Sequence, residues 1–237
     1  MTTLVPFPDF RQVYDHFDQP ITALDCGSLC APYNPHGIPF CCDICVAVPA
    51  TYHTEWDYLK TRTNLWHSYR GDECPGELTN PGTLEQETPS HMCLLACLGP
   101  QACERPYRSI SCRQFPFFPY ITVDDCFIGL AYNWDFEHAC WVLSHLDQVS
   151  QVFRQEFIQT YDALLFDIPQ DYDSYYDLSE EMRDAFSKMG RKIPILHRDG
   201  NDYLLDPETD ALTQVDARDL PRFGPYRSEM APPTGAE

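Results

Sequence analysis

The chain has 237 residues and a globular composition, 43% hydrophobic and 22% charged, with mass enough to bury a core without disulfide staples. Thirty-six acidic against sixteen basic side chains give a net charge of −20, a field that repels nucleic acid and anionic membranes and argues against both as partners. Residues 1–10 lack the basic and apolar regions of a secretory signal, and no apolar run approaches the ~20 residues of a membrane span. The expectation is therefore a cytoplasmic protein without membrane insertion.

Along the chain, residues 10–17 form a short amphipathic helix between prolines. Residues 21–50, rich in Cys, Pro and Gly, read as irregular loops. Tyr52, Trp56, Leu59, Trp66 and Tyr69 recur near helical spacing, with Thr54 as candidate N-cap. Residues 71–90 read as a loop carrying the isolated Cys74. A helix is predicted over 91–98, stopped by Gly99-Pro100, and the two prolines within 115–121 force an extended segment. From 141 to 166 an apolar stripe of Val142, Leu146, Val149, Phe153, Phe157, Tyr161 and Leu164 predicts a long helix. An acidic, tyrosine-rich linker with Asp171, Asp173 and Asp177 follows, then a short helix from Ser179 to Gly190. Residues 193–205, with Asp199-Gly200 at their turn, predict a hairpin, and 212–215 a third strand. The predicted fold is α+β: a mainly helical cysteine-rich domain over 1–140 with loop-borne ligands, and a helix plus small C-terminal antiparallel sheet over 141–237, packed as one unit.

All twelve cysteines fall between Cys26 and Cys140. Two groups are dense: Cys26-x3-Cys30-x10-Cys41-Cys42-x2-Cys45, and Cys93-x3-Cys97-x5-Cys103-x8-Cys112. In a reducing compartment such a framework points to metal before disulfides. A C-x3-C pair on a helix sets both sulfurs on one face, one turn apart, so Cys26/Cys30 and Cys93/Cys97 each offer an edge of a tetrahedral site. Cys41 and Cys42 diverge as neighbours and suit two metals, two corners of a cluster, or one ligand and one packed thiol, with a vicinal disulfide the rare alternative. Thiolate-rich sites select zinc, copper(I) or iron–sulfur clusters and disfavour magnesium and calcium. Tyr33 and Pro100 stand where the third cysteine of Cys-x3-Cys-x2-Cys would fall, which disfavours radical-SAM chemistry. Cys45, Cys74 and Cys97 read as plain packed thiols. His36, His91 and His138 are minor candidate ligands. No phosphate loop, G-x-S-x-G or dinucleotide fingerprint is present. Among Arg105, Arg108 and Arg113, the last sits between Cys112 and the aromatic segment, and is the preferred arginine beside the ligating sulfurs.

Cys26-x3-Cys30, the Cys41-Cys42 pair, Cys103-Glu-Arg-Pro and Cys112-Arg-Gln-Phe-Pro-Phe resemble the YkgJ-type cysteine-cluster proteins, described as zinc- or iron-chelating domains. The resemblance covers residues 24–142. It implies a ligand set of Cys26, Cys30, Cys41, Cys42, Cys93, Cys103 and Cys112, completed by Cys140 or, second, Cys126. Here ten residues, including Pro32, Pro35 and Pro39, separate Cys30 from the cysteine pair, where the family is tighter. The expected function is an iron–sulfur protein with a redox or electron-transfer role and a redox partner protein. The alternatives are a structural zinc protein serving as an interaction module and a metalloenzyme in a modification pathway.

Overall fold

The computed structural model describes residues 9–74 and 81–227. In chain order the elements are α1 (Phe10–His16), α2 (Cys26–Cys30), β1 (Ala50–Tyr52), α3 (His53–Leu59), β2 (Trp66–Ser68), α4 (Pro81–Glu87), β3 (Met92–Cys97) and α5 (Ile110–Gln114). They continue with β4 (Phe117–Ile121), β5 (Phe127–Tyr132), α6 (Gln151–Asp167), α7 (Pro169–Lys188), β6 (Ile193–His197), β7 (Asp202–Leu205) and β8 (Leu212–Val215), joined by short 3-10 turns. The strands form two antiparallel sheets, a three-stranded one in the order β1-β3-β2 and a five-stranded one in the order β4-β5-β6-β7-β8. This corrects the expectation of a mainly helical chain with a small C-terminal sheet: the fold is α+β with a substantial sheet. The expected C-terminal hairpin and third strand do form, but β4 and β5 extend them to five strands.

Contacts group the described residues 9–24 and 116–227 into one unit and 25–74 with 81–115 into another, a different partition from the division after residue 140 read from the sequence. No helix among the described residues is long and apolar enough to cross a membrane.

The first unit packs two long helices on the five-stranded sheet. Ser150 caps α6, its hydroxyl accepting from the Phe153 N–H at 3.1 Å. Phe153, Phe157, Tyr161 and Leu164, spaced by four and three, are fully buried, as the apolar stripe predicts. The same stripe fails upstream, where 141–144 and 146–148 are 3-10 turns. The acidic stretch at 171–177 is no linker. It lies inside α7, which starts with Pro169 at its first position, and Tyr175 meets Tyr161 of α6 edge-on. Strand β4 is an edge strand, which permits Pro119 inside it. Its exposed backbone groups are taken by α7: Ser179 Oγ accepts from the Ile121 N–H at 3.0 Å, and Arg183 Nη1 donates to the Ile121 carbonyl at 2.8 Å. Gly129 of β5 has to be glycine, because a Cβ there would stand 2.4 Å from the Leu196 carbonyl oxygen.

The cysteine-rich unit has short elements and a small core of Tyr52, Leu59, Leu65, Leu95 and Ile110. Helix α3 ends at Leu59, well short of Tyr69 where the aromatic spacing ends, and Trp66 belongs to β2; its N-cap is Tyr52, not Thr54. The predicted 91–98 helix is β3, the central strand, pairing Thr51 with Cys93 on one side and Trp66 with Cys97 on the other. Met, Leu and Ala favour a helix in isolation, but two flanking strands override that weak preference. The predicted 71–90 loop contains α4, and its residues 75–80 lie outside the described residues.

Candidate metal centre

The site is assembled from four segments of the cysteine-rich unit. Asp25 caps α2, accepting from the Ser28 N–H at 3.3 Å, and the helix carries Cys26 and Cys30 one turn apart, as expected. The ten-residue spacer then doubles back. Buried Asn34 donates through Nδ2 to the Ile38 carbonyl and to Asp43, both at 2.9 Å, pinning the proline-rich loop on itself. Gly27 lies so close to Pro39 that a Cβ would stand 3.0 Å from its Cγ. This return brings the turn Phe40–Cys42 back to α2, so that Cys30 and Cys42 feel each other's charge.

On that 3-10 turn the adjacent sulfurs of Cys41 and Cys42 stand 4.0 Å apart. Sulfurs at this spacing subtend about 120° at an ion bound ~2.3 Å from each. The vicinal pair therefore converges enough to grip one ion, where the sequence reading expected divergence. Cys97 ends β3, and Gly99, at φ +91, turns the chain with Pro100 toward Cys103. Ser109 caps α5 by accepting from the Cys112 N–H at 3.3 Å, which fixes Cys112 in the first turn.

Cys41, Cys42, Cys97, Cys103, Cys112 and Arg108 line one cavity of about 250 Å³. The rest of its wall is largely apolar, including Ile38, Ile44, Leu65 and Trp66. Asp43 also lines it, but its carboxylate already accepts from Asn34, from His36 Nδ1 at 2.7 Å and from the Cys45 N–H at 3.0 Å. Despite partial desolvation, these bonds hold its pKa below the ordinary value.

Arg108 is the cation of the site. Its Nε donates to Cys103 Sγ at 3.0 Å, and it remains charged against burial because Cys103, Cys42 and Cys112 surround it. Arg113 plays a different part. Its Nε donates to the Arg108 carbonyl at 3.0 Å and its Nη2 to the Pro106 carbonyl at 2.6 Å, bracing the loop that carries Arg108. Burial pushes the Cys112 thiol up to about 12 and that of Cys26 to about 11, and raises Cys30 and Cys97. Cys42 goes the other way, to about 7, chiefly through its hydrogen bond from Cys41.

The remaining predicted ligands are placed elsewhere. Cys93 and Cys97 share a strand face about 13 Å apart, not the one helical turn expected of them. Cys93 points its thiol to the Thr51 carbonyl, and its neighbouring charges are Glu55 and Asp57. Cys140 and Cys126 belong to the other unit, Cys140 capping a 3-10 turn and Cys126 exposed in the β4–β5 turn. Cys45 and Cys74 form a disulfide. His36, Asp43 and Cys45 come within 4.8 Å of one another, but the Cys45 sulfur is engaged in that bond.

Sequence reasoning missed Cys97 and Arg108. Reading 91–98 as a strand would have separated Cys97 from Cys93 and joined it to Cys103 across the Gly99-Pro100 turn. Arg108 carried no comparable signal, since it was one of three arginines close together. No protein-family model, curated protein or solved structure matches this chain. The cysteine-rich unit is, by its donor set, compatible with metal binding.

Proposed function

We propose that the cysteine-rich unit holds an iron–sulfur cluster and serves a redox or electron-transfer role. The carrying observation is the convergence of Cys42, Cys97, Cys103 and Cys112 with Arg108 on one cavity. Thiols are the donors such clusters take, and a cluster supplies reversible one-electron chemistry at a potential tuned by hydrogen bonds to its sulfurs. The donor spacing supports this choice. In a tetrahedral zinc site the sulfurs lie about 3.8 Å apart. Among the described residues no third thiol joins Cys41 and Cys42 with all sulfurs within 4.8 Å, a spacing wider than the edge of a one-ion zinc site. Arg108, whose Nε donates to Cys103 Sγ, would offset the negative charge of a thiolate-bound cluster held there. A redox partner with a basic patch suits the −20 charge of the chain.

The second reading is structural zinc, favoured by the 4.0 Å separation within the Cys41-Cys42 pair, which is close to a tetrahedral edge. Anaerobic purification followed by visible spectroscopy and metal analysis separates the two. A brown protein with matched iron and sulfide, reversibly reduced, supports the cluster. A colourless protein with stoichiometric zinc sinks it and leaves the structural role.

A further inference from the structure

The cysteines around the cavity are not equally accessible. Cys41 is exposed, whereas Cys42, Cys97, Cys103 and Cys112 are half-buried, and yet Cys41 lines the same cavity. It therefore stands at the opening. Its sulfur is 4.0 Å from that of Cys42, so an ion bound ~2.3 Å from each is shared without moving either. From Cys42 inward, the next thiols are those around Arg108. Leu98, 60% exposed, also lines the cavity and adds exposed apolar surface to its wall, which disfavours a strongly hydrated ion arriving alone.

We propose that Cys41 and Cys42 form a capture site, which takes a soft metal ion from a thiolate-bearing donor and passes it to the half-buried thiols further in. Cys41 is then a transfer ligand and not a resident one. The inference rests on the metal-binding reading above, with Cys42, Cys97, Cys103 and Cys112 as the resident donors. The step is a ligand exchange without change of oxidation state. Two bonds from the metal to donor sulfurs break as bonds to Cys41 Sγ and Cys42 Sγ form, and the two cysteine protons leave with the donor thiolates. In a second exchange the bond to Cys41 Sγ breaks as an interior thiol binds the ion, that thiol's proton passes to Cys41, and Cys42 holds the ion throughout.

The exit path is the reverse of the capture path, so it can be timed on the intact chain. The full-length protein is produced in cadmium-supplemented medium and then offered excess zinc as its glutathione complex. Loss of the thiolate-to-cadmium absorption reports exchange. The expected result is at least tenfold slower exchange in Cys41→Ser, with the same cadmium content per chain as the wild type. Cys42→Ser lowers the content itself, and Cys126→Ser, at the other exposed thiol, exchanges at the wild-type rate. Wild-type exchange in Cys41→Ser overturns the capture site, as does an equal slowing in Cys126→Ser. A reduced cadmium content in Cys41→Ser also overturns it, by making Cys41 a resident ligand. A wild-type chain that takes up no cadmium removes the metal reading and the capture step together, which distinguishes the two failures.

Discussion

The two units solve the problem of stability by different means. Residues 116–227 bury long aromatic and aliphatic stripes of α6 and α7 on a five-stranded sheet, and their interior is dominated by rings such as Phe153, Phe157 and Tyr161. Among the described residues of 25–115 the helices have five to seven residues, and two of the three strands are only three residues long. That segment nevertheless holds ten of the twelve cysteines. A small core leaves little apolar burial to offset chain entropy, and the Cys45–Cys74 disulfide adds a covalent constraint. Charge divides in the same way. Residues 25–115 carry ten acidic and six basic side chains, and the rest of the chain twenty-six and ten. The negative field is therefore concentrated outside the segment that carries the thiols. A cluster of thiolates in the midst of that field would be harder to ionise.

If this contrast is right, metal removal is the largest perturbation. Chelation under reducing conditions is expected to abolish amide protection across 25–115 while α6 and α7 keep theirs, because a structural thiolate-bound metal contributes on the order of 10 kcal/mol. Segment-resolved hydrogen exchange reads this directly, and simultaneous loss in both units breaks the comparison. Phe157→Ala should act in the opposite sense. It removes a fully buried ring packed against Phe17, Phe153 and Tyr161, and should cost roughly 3–5 kcal/mol in the exchange of 116–227. An effect confined to 25–115 would contradict the assignment of the two cores.

Cys74→Ser comes next. It opens the loop between Cys45 and Cys74, 29 residues apart, and should lower the stability of the cysteine-rich unit by roughly 3–4 kcal/mol under non-reducing conditions. Added reductant should bring the wild type to the same level; a mutant as stable as the oxidised wild type would deny the disulfide that role. The smallest effect belongs to Asp199 in the β6–β7 turn. Partial desolvation works against ionisation, but the Asn201 N–H, the Tyr203 hydroxyl and His197 hold this carboxyl well below the usual carboxylate range. A depressed folded-state pKa gives stability that is complete above about pH 4, the unfolded value, and is lost as pH falls through the folded one. Asp199 is largely solvated, so Asn substitution should change stability by well under 1 kcal/mol at neutral pH. Its acid unfolding curve, followed by circular dichroism, should be flatter than that of the wild type. Identical curves would show that the turn carries no such linkage.

How far the sequence reached depends on whether a residue's partners are near it in the chain. The α6 stripe was legible because helical spacing is a local property, and Phe153, Phe157, Tyr161 and Leu164 repeat it without interruption. The turn at Asp199-Gly200 and the strands on either side were legible for the same reason. The stretch 171–177 was not, because its acidic and tyrosine side chains resemble a solvated linker until α6 supplies a packing partner. Nor was β3. Cys93 and Cys97 share a face at four-residue spacing in either conformation, but the distance between them doubles in a strand.

By itself, then, the sequence determined the chemistry on offer: soft thiol donors concentrated in one stretch, Cys26 and Cys30 one turn apart, and a net charge of −20. Only the tertiary structure decided which thiols meet. Antiparallel pairing of β3 sends Cys93 away and delivers Cys97. Asn34 folds the proline-rich spacer so that Cys42 returns to Cys30, and the loop braced by Arg113 sets Arg108 against Cys103. Each of these is a contact between residues distant along the chain or held by a loop without periodicity, and residue spacing alone carries no distance for such pairs.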